Sequence, residues 1–130
     1  MLFRSGRKLI HDKLIGYNHL IQHCLYNKQP SQTSEFHDNS ISLLAGQQGK
    51  CYVTKRILEI GNMECHHKVP RKHGGTDEYK NLVWLMKPIH KLIHSTEKDT
   101  IEKYIGLLHL NEDELKRVNS LRKQVGNSII

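Results

Sequence analysis

At 130 residues, with 37% apolar and only 6% aromatic residues, the chain can bury one modest core and has no room for a second catalytic domain. Twenty Lys and Arg against thirteen Asp and Glu leave a formal charge of +7, distributed along the chain as a polyphosphate partner demands, although a basic protein with no nucleic-acid role carries the same balance. No apolar run nears membrane-spanning length, residues 1–7 lack an apolar signal-peptide region, and Cys24, Cys51 and Cys65 are too few and too irregular for a disulfide framework. A cytoplasmic, reducing location with no membrane partner is therefore expected.

In chain order, Ile10, Leu14, Tyr17, Ile21 and Cys24 step by four and three, which predicts a helix over residues 8–26. Residues 27–40 are polar and contain Pro30, and read as a linker. Asp38, Asn39 or Ser40 then caps a short helix, Ile41–Gln48, closed by Gly49. Cys51–Thr54 has strand-forming residues, and Gly61-Asn62 marks a turn. A strand from Met63 to Val69 ends at Pro70, a polar loop is centred on Gly74-Gly75, and Asn81–Leu85 forms the returning strand. Pro88 opens a helix, Ile89–Ser95. Thr96 caps the next, with Ile101, Tyr104, Ile105 and Leu108 on its buried face. Asn111 and Glu114 make a capping box for the last helix, whose acidic first turn and basic end (Arg122, Lys123) suit the helix dipole.

The chemistry is concentrated between Glu64 and His94. His90 and His94 are i and i+4 on a predicted helix, so both imidazoles leave one face a turn apart, a common way to present two metal-binding nitrogens. His66 and His67 are neighbours on a predicted strand and point to opposite sides, so one can join the helix pair while the other stays free to act as a base. An i, i+4 His pair arises easily by chance among ten histidines. The ordered set His66-His67, Pro70, Gly74-Gly75, Asn81-Leu82, His90, His94 does not.

That set resembles the HNH endonuclease family: Glu64 to Leu82 looks like the first half of its motif and Pro88 to His94 like the second. The resemblance implies an α+β fold with a ββα-metal core, organised as an N-terminal helix and linker (1–40), an HNH core (41–96) and a C-terminal helical extension (97–130). It implies that His67 is the general base and that Asn81 ties down the hairpin loop and helps orient His67. His66, His90 and His94 would hold one divalent ion, with magnesium, manganese, zinc and nickel as the candidates. The reaction would be hydrolysis of a DNA phosphodiester to a 3′-hydroxyl and a 5′-phosphate. Arg71, Lys72, Lys87 and Lys91 are candidate phosphate contacts, with a solvated basic surface as the bland alternative. Ser42–Cys51, His90–Thr96 and Lys116–Arg122 are further similar to the C-terminal endonuclease end of group II intron reverse transcriptase/maturases, which implies intron mobility as the setting, intron RNA as a second partner and residues 1–40 as a maturase remnant.

Many relatives add a structural zinc held by two Cys-x-x-Cys knuckles. The corresponding stretches here are Cys51-Tyr52-Val53-Thr54 and Lys87-Pro88-Ile89-His90, so no structural zinc is expected and Cys51 becomes a small apolar core residue. Leu44, Val53, Leu82, Trp84 and Leu92 must then hold the hairpin by packing. Cys65 is an inward-packing neighbour of His66, or alternatively a thiolate ligand. A non-catalytic, metal-stabilised DNA- or RNA-binding module is the competing reading, and it has no need of His67. A decayed fragment is a third.

Overall fold

The computed structural model describes residues 17–130. The start of the predicted first helix, with Ile10 and Leu14, lies outside them; residues 17–26 are helical (α1), and Leu20 is completely buried. α2 follows at Ser34–Gly46, and an antiparallel hairpin is formed by β1 (Met63–His67) and β2 (Leu82–Met86). Three helices complete the chain: α3 (Lys87–His94), α4 (Lys98–Leu108) and α5 (Glu112–Gln124).

α2 starts well before the expected Ile41, inside what was read as linker. Thr33 is its cap: the hydroxyl accepts a 2.9 Å hydrogen bond from the Phe36 amide. Phe36, Ser40, Leu43 and Leu44 are all buried, and their i, i+4, i+7, i+8 spacing supplies the face that keeps the helix in place. The polarity of the other face hides this periodicity in the sequence. The helix ends at Gly46, ahead of the expected Gly49.

Cys51–Thr54 is a turn and not a strand. The Lys55 amide bonds back to the Cys51 carbonyl (2.9 Å), and Lys55 sits in the left-handed region at φ 62°. Strand propensity loses here because the outer edge of β2 is already taken. Gln47 Oε1 accepts from the Trp84 amide (2.9 Å), and the Trp84 carbonyl accepts from the Tyr52 amide (3.0 Å) and from Gln47 Nε2 (3.2 Å). A side-chain amide standing in for backbone leaves no ladder for a third strand. The turn still fills the core, with Cys51 and Val53 fully buried. It meets the end of β2 through Thr54, whose hydroxyl lies 3.4 Å from Met86 Sδ.

The hairpin register pairs Glu64 with Leu85, Cys65 with Trp84, His66 with Val83 and His67 with Leu82. Directly opposed residues share a face, and successive residues alternate. Glu64 and His66 therefore face one way, with Val83 and Leu85, while Cys65 and His67 face the other, with Trp84 and Leu82. α2 covers the second face: Trp84 Nε1 donates to the Ser40 carbonyl at 2.7 Å. α3 covers the first. β2 is buried along Leu82–Leu85 because it is sandwiched between these layers.

α3 begins at Lys87, two residues earlier than expected, with Pro88 in its first turn. It buries Ile89, Leu92 and Ile93 completely. Thr96 does not cap α4, whose N-cap is Glu97, and Ile105 is 40% exposed, so the buried face of that helix is narrower than its periodicity suggested. The Asn111–Glu114 capping box at α5 forms in both directions. One apolar cluster joins Leu20, Leu44, Val53, Leu92, Leu108, Val118 and Leu121, so the hairpin is packed by elements on both sides of it in sequence.

Arg122 on α5 is 1% exposed and pairs with no carboxylate among the described residues. Its guanidinium instead closes the C-terminal end of α3: Nη1 donates to the carbonyls of Leu92 (2.5 Å) and Ser95 (2.9 Å), and Nε to that of Ser128 (2.7 Å). A cation at the carbonyl end of a helix is favoured by the helix dipole. Asn127 adds a 2.8 Å bond to the Ile93 carbonyl.

Candidate metal centre and the adjoining histidine

β1 and α3 bring His66, His90 and His94 together. Their ring centroids lie 5.0 Å (His66–His90), 5.2 Å (His66–His94) and 4.7 Å (His90–His94) apart, all edge-on. One nitrogen from each lies within 4.8 Å of the other two. His66 is 2% exposed, and its Nε2 is the one fully buried side-chain nitrogen or oxygen without a hydrogen-bond partner among the described residues. An orphaned buried imidazole nitrogen is costly unless something binds it. A divalent ion satisfies the orphan and fits the all-imidazole donor set.

Electrostatics keep the His66 and His94 rings neutral and ready to ligate. Burial, reinforced by His90, His94, His67 and Lys68, pushes His66 down to about 3. Burial also lowers His94, helped by His90 and Lys72 and opposed by Glu64. The charges of Lys68 and Lys72 thus act on the site from the loop side. Glu64, two residues ahead of His66 on the same face, lies against Nδ1 of His90, which leaves that ring's Nε2 for the metal. The sequence reading passed over Glu64 as a role-bearing residue, although its i, i+2 relation to His66 put it on the ligand face.

Among the described residues no fourth His, Cys, Asp or Glu joins the three. Cys65 is on the α2 face of β1, and burial, with Cys24 and Asp77, pushes its thiol up to about 12, so it is a protonated packing residue and not a thiolate. Three protein ligands and an open position are the pattern of catalytic rather than structural zinc-type sites.

His67 lies across the strand, on the α2 side. Its ring stacks on Phe36, with centroids 5.2 Å apart and planes inclined by 12°. Nε2 lies 2.8 Å from Asp77 Oδ1. Asp77 is buried and holds two further side chains: Arg71 reaches both carboxylate oxygens at 2.6 Å, and the Thr33 hydroxyl donates to Oδ2 at 2.7 Å. Burial alone would raise the Asp77 carboxyl, but these hydrogen bonds and the Arg71 charge prevail and hold it at about 2. Sequence reasoning missed Asp77, Thr33 and Phe36. Asp77 looked like one more polar loop residue beside Gly74-Gly75.

Asn81 acts on the loop and not on the His67 ring. Its side chain accepts from the Val69 amide (3.0 Å) and donates to the carbonyls of Val69 (3.1 Å) and Thr76 (2.8 Å), stapling the two ends of the hairpin loop. Arg71, taken from sequence as a phosphate contact, spends its guanidinium on Asp77. Lys72 and Lys91 are exposed and Lys87 is half-buried. Lys68 lines a cleft with Lys80, Thr76 and Gln124.

The model of the HNH endonuclease family matches residues 54–96, from the turn before β1 to just beyond His94. No curated protein matches the chain. Hairpin, α3 and the three-histidine cluster together make the ββα-metal core of an α+β fold.

Proposed function

We propose that the chain is a metal-dependent DNA endonuclease that hydrolyses a phosphodiester bond at the three-histidine site. The observation that carries this reading is the open donor set: His66, His90 and His94 converge with one orphaned buried nitrogen and no fourth protein ligand among the described residues, beside a histidine that is not part of the set. A closed structural site would need Cys65, which faces the other side of β1. The binding-module reading loses its fourth ligand for that reason.

A bound divalent ion would neutralise charge developing on the scissile phosphate and polarise it for attack. The chain's own residues do the rest. His67 takes a proton from the attacking water as its oxygen bonds to phosphorus. The bond from phosphorus to the 3′-oxygen breaks, and that oxygen takes a proton from solvent, leaving a 3′-hydroxyl and a 5′-phosphate. Lys68 and Lys72, whose charges reach the site, hold the flanking phosphates. Glu64 holds His90 in the ligating tautomer.

The setting we propose is nicking during group II intron mobility, in a reducing intracellular compartment, with intron RNA as a second partner. Its support is the similarity of Ser42–Cys51, His90–Thr96 and Lys116–Arg122 to the endonuclease end of intron maturases, together with three free cysteines.

The test is conversion of supercoiled plasmid to the nicked form with manganese or magnesium, with and without EDTA, beside His67→Ala. Nicking by the wild type that both EDTA and His67→Ala abolish supports the reading. A folded, metal-loaded wild type that binds the plasmid and leaves it intact transfers the chain to the non-catalytic class.

A further inference from the structure

The hydrogen bonds around His67 carry more than its place beside the metal ligands. The two nitrogens of this ring have different surroundings. Nε2 is held at 2.8 Å by Asp77 Oδ1. Nδ1 has no protein partner among the described residues, nor is it sealed from solvent as His66 Nε2 is; the side chain is 21% exposed. Asp77 is itself fixed from three directions. Arg71 forks onto both oxygens, Thr33 donates to Oδ2, and Asn39 Nδ2 donates to its backbone carbonyl at 2.9 Å.

Two of these partners come from outside the 54–96 segment. Thr33 is the cap of α2 and gives its hydroxyl proton to Asp77 while accepting from the Phe36 amide. Phe36, in the first turn of the same helix, is the ring on which His67 stacks. The head of α2 therefore sets both the plane of the His67 ring and the position of the carboxylate that holds one of its edges. A staple whose only purpose was to close the 71–80 loop would be complete with Arg71, Asn39 and Asn81. The Phe36 stack and the bond to Nε2 add nothing to loop closure; they act on the imidazole.

We infer that Asp77, braced by Thr33 at the head of α2, is the positioning residue of His67, fixing the Nε2–H tautomer so that Nδ1 is the nitrogen that accepts the proton. The inference rests on the endonuclease reading for its catalytic consequence, but not for the tautomer. In the step, one O–H bond of the attacking water breaks and its proton bonds to Nδ1, while the Nε2–H bond stays intact. The imidazolium so formed keeps its hydrogen bond to an ionised carboxylate, which never takes the proton. A histidine base needs the right tautomer and ring angle, and a carboxylate at the other nitrogen supplies both.

The experiment compares wild type, Asp77→Asn, Asp77→Glu and Thr33→Val, with His67→Ala as the spectral and kinetic reference. Long-range proton–nitrogen spectra of zinc-loaded protein read the tautomer of His67, assigned by its loss in His67→Ala. Nε2–H is expected in wild type and a mixture of tautomers in Asp77→Asn. Plasmid nicking is expected to show kcat down by about 100-fold in Asp77→Asn with KM little changed, and partial recovery in Asp77→Glu, as for groups that orient rather than react. Adding Asp77→Asn to His67→Ala should cost nothing further. Zinc affinity by calorimetry should match wild type in every Asp77 variant.

An unchanged tautomer in Asp77→Asn overturns the inference, as does a kcat equal to wild type. If Asp77→Asn fails to fold, Thr33→Val, which frees Oδ2 and the Phe36 amide but leaves Oδ1 on His67, must show the same tautomer mixing to a smaller degree; an unaltered wild-type spectrum there overturns the inference as well. A wild type that shows the Nε2–H tautomer and its loss in Asp77→Asn, yet cuts no DNA, upholds the positioning of the ring and sinks the endonuclease reading alone.

Discussion

Glu64, two residues ahead of His66 on β1, holds Nδ1 of His90 on α3. One carboxylate thereby links the strand that carries one candidate ligand to the helix that carries the other two. A ligating histidine whose second nitrogen is fixed in this way is held in a single tautomer and is a better donor. Glu64→Gln, which keeps the shape and removes the charge, is expected to weaken zinc or nickel binding about 10- to 100-fold by calorimetry without unfolding the protein. Binding equal to wild type would mean that the contact does not support the metal site.

Arg122 completes α3 from the opposite side. It is the shared donor for the carbonyls of Leu92, Ser95 and Ser128. Arg122→Met keeps the buried volume but leaves those carbonyls without a donor, and is expected to lower the unfolding free energy in urea by about 3 kcal/mol. A midpoint within error of wild type would show that water replaces the guanidinium.

Gly75 is required for a steric reason. A Cβ built there would sit 1.7 Å from the Val69 carbonyl oxygen and 2.6 Å from its carbon, and both are backbone atoms that cannot move aside. Gly75→Ala is expected to destabilise by more than about 3 kcal/mol or to yield no folded protein, whereas Gly74→Ala, where φ is 88° and the space is open, should cost only about 1 kcal/mol. Thermal melts of the two variants side by side test the contrast.

Lys68 and Lys72 act on the site from the loop. Removing two phosphate contacts by Lys68→Gln with Lys72→Gln should weaken plasmid binding and flatten the log–log salt dependence by about 1.8, roughly 0.9 per lost contact. An unchanged slope would place the DNA backbone elsewhere.

The titrating groups give the stability a definite pH dependence in metal-free protein. His66 has an ordinary value of 6.5 but is pushed to about 3 in the fold, so between these limits the unfolded chain binds more protons than the native one. Stability is complete above pH 6.5 and falls as the pH drops toward 3. Asp77 adds a second loss lower down, between 3.8 and about 2, because its carboxylate is stabilised in the fold. Urea midpoints in EDTA should be lower at pH 5 than at pH 7.5; equal midpoints would mean that His66 is not buried without metal.

Much of the site is legible in the sequence. His90 and His94 share a helix face because their spacing is one turn, and His66 and His67 part because strands alternate; both rules are local and hold wherever the elements form. The Asn111–Glu114 box was legible for the same reason. Cys51–Thr54 was misread because its strand propensity is real, but the edge it would have joined is filled by the Gln47 side chain, which no local pattern reveals. Ile105 was misread because periodicity marks a face but not whether a neighbour covers it.

From the sequence alone came the grouping of the candidate metal donors, the hairpin and the helix that follows, and from the family resemblance the loop staple Asn81, since each depends on residues close along the chain or on a spacing a single element imposes. The tertiary structure alone decided that α2 begins at Ser34, capped by Thr33, that Arg71 serves Asp77, and that His67 leans on Phe36. These depend on pairs such as Thr33 and Asp77, which meet only when α2 packs against the hairpin. Hydrogen bonds of that range are chosen by burial: once the core closes over Leu44, Trp84 and Leu82, a polar group shut inside must find whichever partner the packing brings to it.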